Sequence, residues 1–151
     1  MKARMNNPAM VLPGAVAALQ AVGGTTADAG LPAGTVHLVH IRASQINGCS
    51  VCLEMHSKEA LRDGDSVERL LAVAAWRESP HFTDAERAAL ALTEAVTRIA
   101  DQPDAVPDDV WDDAADHYDE PQLAALTLQI ALINVWNRLN VTVRQPAGQS
   151  W

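Results

Sequence analysis

Both cysteines of the chain stand three residues apart, and a histidine follows the second by four, in the run Asn47-Gly48-Cys49-Ser50-Val51-Cys52-Leu53-Glu54-Met55-His56. Spacings of three and four residues bring side chains to one face of an α-helix. The run therefore predicts a helix that begins near Asn47, whose side-chain oxygen is suited to cap free backbone N–H groups. At i,i+3 the two Cα atoms lie roughly 5 Å apart by helix geometry, inside the range a disulfide tolerates. The pair can then close and open without unfolding the helix. Unpaired N–H groups and the positive end of the helix dipole in the first turn favour a thiolate over a thiol.

Two cysteines this close cannot staple distant parts of a fold, so a secreted disulfide framework is excluded and a reducing, cytoplasmic setting is expected. Stability must come from a hydrophobic core. The 151 residues suffice for one, and the expected organisation is a single domain over residues 1–151. A formal charge of −8 leaves no basic stripe able to neutralise phosphates, so nucleic acid is not an expected partner. Lys2 and Arg4 precede an apolar-leaning run at 9–22 in the outline of a secretory signal, but Pro13, Gly14 and Gln20 interrupt it and a first helix is expected instead. The longest apolar stretch, 123–136, contains Thr127, Gln129 and Asn134 and is too short for a membrane span.

In order, the chain reads as helices with well-signalled breaks. Val36, Val39, Ala43 and Ile46 recur at helical spacing ahead of the cysteines, and Gly64 suits the left-handed turn beyond the cysteine helix. Ser66 is placed to cap a helix with Val67, Leu70, Leu71 and Ala74 inward. Thr83-Asp84-Ala85-Glu86 is a capping box; the helix after it should bury Ala88, Ala89, Leu92, Val96 and Ile99 and expose Arg87, Glu94 and Arg98. Residues 101–120 hold nine of the nineteen acids and no Lys or Arg, which predicts a solvated helix around Val110 and Trp111 rather than a cation site. Asp119, Pro121 and Gln122 open a last helix, apolar on nearly all sides, that should lie centrally or at a subunit contact. The fold class is all-α, with about seven helices.

Function then turns on Cys49, Cys52 and His56. The plainest reading makes them core residues, yet core packing has no need of two thiols and an imidazole aligned at a helix start. A zinc site is a second reading, in which His37 and His40, themselves at i,i+3, join the cysteines, or His56 serves as a ligand; all these ligands would lie on regular helices rather than the usual knuckles and short loops. The third is cofactorless, metal-free thiol redox chemistry. The helix dipole favours Cys49 as the attacking thiol, whereas His56, one turn from Cys52, can take that thiol's proton directly and favours Cys52. Arg42 is either an ion-pair partner or a neighbour of the thiolate. Ser44, Gln45 and Asn47 suit either capping or orientation of the site. Trp76 and Trp136 read as core or interface aromatics, and His81 and His117 as surface groups.

The run Arg42-Ala43-Ser44-Gln45-Ile46-Asn47-Gly48-Cys49-x-x-Cys52-x-x-x-His56-x-x-x-Ala60, with Trp76-Arg77-Glu78, Phe82-Thr83-x-x-Glu86-Arg87-Ala88-Ala89-Leu90 and Ile133-Asn134-x-Trp136-Asn137-Arg138, resembles the AhpD-like alkylhydroperoxidase branch of the carboxymuconolactone decarboxylase family. The resemblance spans residues 8–143. It implies an all-helical subunit assembled into trimers or hexamers, and reduction of hydroperoxides by an antioxidant dithiol cycle. Cys52 would form the sulfenic acid and Cys49 would condense with it. A lipoyl, thioredoxin-like or other thiol partner would then reopen the bridge. Two positions depart from the branch. His37 stands where its proton relay has a glutamate, so the implied relay is His37, Cys49, Cys52 and His56. Val51 stands where its peroxidases tend to have a histidine, and a thiol-disulfide oxidoreductase without peroxidase activity is the alternative.

Overall fold

In the computed structural model, which describes residues 2–148, every regular element among the described residues is helical. There are eight α-helices and one 3-10 helix: α1 (Pro8–Val11), α2 (Ala15–Gly24), α3 (Ala33–Asn47), α4 (Ser50–Arg62), α5 (Val67–Ala72), the 3-10 segment Val73–Glu78, α6 (Asp84–Thr97), α7 (Asp108–His117) and α8 (Glu120–Val143). The expected first helix is thus two. Pro13 supplies no N–H, and Gly14 adopts φ +81°, so the chain turns before α2 starts.

The caps expected at Ser66, Thr83 and Asp119 are in place. Ser66 Oγ accepts the Arg69 N–H, and Thr83 and Glu86 satisfy each other's backbone donors reciprocally, as Asp119 and Gln122 do at α8. Two inward faces differ from expectation. Past Ser66 only Leu70 of the four expected residues is buried, because the chain tightens into the 3-10 segment after one and a half turns and buries Val73 and Trp76 instead. In α6, Ala88, Ala89 and Leu92 are buried, but the helix ends at Thr97, leaving Ile99 exposed, and Glu94 is buried rather than solvated.

Three apolar clusters hold these helices together. The first joins Val39, Ala88, Leu92, Ala114, Tyr118, Leu126 and Ile130; the second joins Leu38, Ile41, Ala60, Leu70, Val73, Trp76, Phe82 and Leu90. The third is small and surrounds the cysteines, with Ala43, Val51 and Ile133 against them and Trp136 packed alongside. Among the helices only α3 contributes to all three, so it lies at the centre of the fold. The acidic α7 packs through Val110 and Ala114, with Tyr118 just past its end, and leaves Trp111 exposed.

Candidate functional site

The site begins at the joint between α3 and α4. Asn47 does not cap α4; it is the last residue of α3, and Gly48 follows at φ +67°. The Cys49 N–H returns to the Ser44 carbonyl at 3.0 Å, which closes α3 and sets Cys49 itself as the N-cap of α4. Cys52 is then the third residue of the helix, and the two cysteines form a disulfide with Cα atoms 5.4 Å apart. Both are 1% exposed. The joint is held from α8: Asn47 Nδ2 donates to Asn134 and Asn137 Oδ1 at 2.9 Å each, and Asn137 Nδ2 donates to Ser44 Oγ at 3.0 Å.

Around Cys52 the chain assembles two imidazoles and a carboxylate. His56, on the next turn of α4, lies 2.9 Å through Nδ1 from Glu59 Oε2. That hydrogen bond holds the Glu59 carboxyl below its ordinary range against the opposing effect of burial. A carboxylate only accepts, so His56 Nδ1 carries a proton and neutral His56 has its lone pair on Nε2. The His40 ring lies tilted against His56, with centroids 4.5 Å apart and the planes at 55°. Burial, reinforced by the charge of His56 and opposed by its hydrogen bond to Gln129, pushes His40 down to about 3. Gln129 Nε2 is committed to Thr26 Oγ1 at 2.6 Å, which leaves Oε1 facing His40 Nε2 at 2.9 Å and makes that nitrogen the donor.

A cavity of about 380 Å³ opens beside this group. Cys52, His40, His56 and Glu59 supply its reactive side, and Met10, Val16, Leu132 and Trp136 are among its apolar walls. Asn140 of α8 reaches Cys52 Sγ with Nδ2 at 3.3 Å, and its Oδ1 accepts from Asn7 Nδ2 at 2.7 Å.

The sequence-predicted residues are not all at this point. Cys49, Cys52 and His56 share the α4 start, whereas His37 bonds Asp63 at 2.7 Å and does not line the cavity. The set considered for zinc is not assembled: the sulfurs are bonded to each other, His37 faces Asp63 and His40 faces Gln129. No group of three or more His, Cys, Asp or Glu side chains placed to hold a metal ion occurs among the described residues. Arg42 turns away from the sulfurs to Glu94 Oε1 at 2.8 Å. Glu94 also accepts from Trp76 Nε1 at 2.9 Å and Arg77 at 2.8 Å; burial opposes its charge, and these bonds outweigh it and hold the carboxyl low. Sequence reasoning missed Glu59, His40 as a neighbour of His56, Asn140 and Asn7. Glu59 had a signal, lying three residues after His56 on the same helix face.

A helical protein with a redox-capable pair at a helix start is the class that these features define. The chain belongs to the carboxymuconolactone decarboxylase family, whose pattern it matches over residues 13–95. It is 38% identical over 114 residues to the uncharacterized protein YdfG of Bacillus subtilis (strain 168), covering 76% of each chain. It is 37% identical over 110 residues to the uncharacterized protein YnjA of Escherichia coli (strain K12), covering 73% of this chain and 59% of that one. Among solved structures it superposes at a TM-score of 0.89 and 37% identity on ATU0492 of Agrobacterium tumefaciens, covering 99% of this chain and all of that one. That protein is of unknown function, with a suggested role as the antioxidant defence protein AhpD. The debrominase Bmp8 shares the fold at a TM-score of 0.78 and 22% identity, over 89% of this chain and 72% of Bmp8. Among the described residues no helix is long and apolar enough to cross a membrane.

Proposed function

We propose that the protein is a thiol-dependent peroxidase of the AhpD type, which reduces organic hydroperoxides with its cysteine pair. The observation that carries this reading is the closed Cys49–Cys52 bridge beside the Glu59–His56 pair on the wall of a largely apolar cavity. In the reduced protein, His56 Nε2 takes the Cys52 thiol proton. The thiolate then attacks the outer oxygen of ROOH, the O–O bond breaks, and the leaving alkoxide receives the proton from His56 to give ROH. Cys52 is left as a sulfenic acid. Cys49 Sγ displaces its hydroxyl, which leaves as water with the Cys49 proton, and the disulfide closes. An external dithiol, lipoyl or thioredoxin-like, restores both thiols by exchange and is itself oxidised.

Glu59 has a defined part in this scheme. Its carboxylate fixes the His56 tautomer and supports the imidazolium while it holds the proton, as the acid of a hydrolase triad does for its histidine. The carboxylate absent at position 37 is thereby supplied from within α4. His40, kept neutral by its surroundings, adds no positive charge that would deter protonation of His56. A homo-oligomer, trimeric or hexameric, is part of the proposal.

The test is the intact mass and free-thiol count of the reduced protein before and seconds after one equivalent of an organic hydroperoxide. Loss of both thiols with a mass decrease of about two hydrogens is expected. Cys52→Ser should abolish the reaction, and Cys49→Ser should stop it at the sulfenic acid. Thiols that survive the peroxide but reduce a protein disulfide would replace the proposal with a dithiol oxidoreductase, a reading favoured by the apolar Val51 on the cavity wall.

A further inference from the structure

Two side chains from opposite ends of the chain meet Cys52 in one buried line. Asn7 is 2% exposed, Asn140 5% and Cys52 1%, and the two asparagines are 133 positions apart in sequence. The hydrogen bonds along this line leave no freedom in how either amide is turned. The Ala9 backbone N–H, which can only donate, points at the Asn7 side chain at 2.8 Å, so the atom it meets is Oδ1. Asn7 Nδ2 therefore faces Asn140 at 2.7 Å and needs an acceptor, so Asn140 presents Oδ1 to it. The other end of the Asn140 amide is then Nδ2, a donor, and it lies 3.3 Å from Cys52 Sγ. A backbone amide in α1 thus dictates, through two side chains, that a donor faces the sulfur.

We propose that Asn140 is a catalytic residue that stabilises the Cys52 thiolate by hydrogen bonding, and that Asn7 is the positioning residue that holds Asn140 in its donor orientation. The consequence for turnover rests on Cys52 being the attacking thiol; the effect on the thiol itself does not. A disulfide sulfur is a weak acceptor, whereas a thiolate is a charged one, so the N–H contributes more once the bridge opens. The interaction thereby favours the nucleophilic state. The ionisable groups around Cys52 come from α3, α4 and the joint between them, namely His40, His56, Glu59 and Cys49; among the described residues, α1, α2 and α8 bring no ionisable side chain to the cavity wall. Asn140 is accordingly the contribution of α8 to the charge balance of the sulfur. The position of Asn7 makes the amino-terminal segment part of the site. That segment is tied down by the Arg4 N–H to the Val143 carbonyl at 2.8 Å and by Arg4 Nη1 to the Thr142 carbonyl at 2.9 Å.

The measurement is the pH profile of iodoacetamide alkylation at Cys52 in the full reduced chain, read by peptide mass, with no peroxide present. Asn140→Leu, which keeps the branched shape and removes the donor, should raise the midpoint by about one pH unit, the size of a hydrogen bond to a charged group. Asn140→Asp, which keeps the shape and presents an acceptor, should raise it further. Asn7→Ala should raise it by a smaller amount in the native background and add nothing in the Asn140→Leu background. A purely structural Asn7 would lower stability and leave the midpoint in place. An unchanged midpoint in the Asn140 variants that fold, or an Asn7→Ala shift that persists in full without Asn140, overturns the assignment. Failure of the peroxide reaction with the midpoint shifts intact would refute the peroxidase reading and leave the role of Asn140 standing.

Discussion

At the scale of single residues, the site depends on groups whose charge is set by their surroundings. His40 is the clearest, because desolvation and the neighbouring His56 hold it at about 3 in the folded protein while an unfolded histidine titrates near 6.5. The unfolded chain therefore binds more protons than the folded one across that interval. Stability is fully present above about pH 6.5 and is lost as the pH falls toward 3. Between pH 7 and pH 5 the loss from this one group should be on the order of 2 kcal/mol. Urea midpoints at the two pH values would show it: the native protein should lose more stability than His40→Gln, and equal losses would mean that His40 is already charged in the fold. Glu59 and Glu94 act in the same direction at lower pH. Their depressed pKa values add stability above the ordinary carboxylate range that is lost as the pH falls through their folded values.

At the scale of elements, Glu94 ties three of them together. Its carboxylate receives Arg42 from α3 and both Trp76 and Arg77 from the 3-10 segment, while its own backbone belongs to α6. Amphipathic periodicity places position 94 on the polar face of α6, and its neighbours along the chain give no sign of the partners that cover it. The arginine on α3 was legible as an ion-pair candidate, but its partner lies 52 residues away. Glu94→Ala should cost about 3 kcal/mol, because it leaves the half-buried Arg42 guanidinium and the buried Trp76 indole N–H without an acceptor. Thermal unfolding measures this directly. A change below about 0.5 kcal/mol, the usual range of a surface substitution, would show the cluster to be dispensable.

At the scale of the whole molecule, the chain leaves part of its apolar surface uncovered. Along α8, Val135 and Val141 are 40% and 43% exposed on a helix whose opposite side is fully buried, and Leu12 and Leu71 are exposed elsewhere. Such a surface suits the proposed trimer or hexamer. Sedimentation equilibrium should return three or six times the subunit mass of 16.2 kDa, and a monomer at micromolar concentration would remove oligomerisation from the proposal.

Local spacing along the chain was enough to dictate the helical class and the capped starts of three helices, but not the break at Pro13–Gly14, the 3-10 segment or the end of α6. Helix type comes from a period of 3.6 residues, and the caps at Ser66, Thr83 and Asp119 come from side chains that reach backbone groups three positions on. The placing of Cys49, Cys52 and His56 on one helix start was legible for the same reason, although Asn47 was assigned to the wrong helix because its capping oxygen competes with a glycine one position on that ends α3 in the left-handed region. The groups that surround the sulfur were settled by the packing of helices instead. His40 comes to His56 across the α3–α4 turn, Glu94 draws Arg42 away from the site, and Asn140 with Asn7 closes on Cys52 from the two ends of the chain. These contacts leave no trace in periodicity or composition. A buried polar group is satisfied by whichever partner the packing of whole helices brings within about 3 Å, and that packing is a property of all three clusters together.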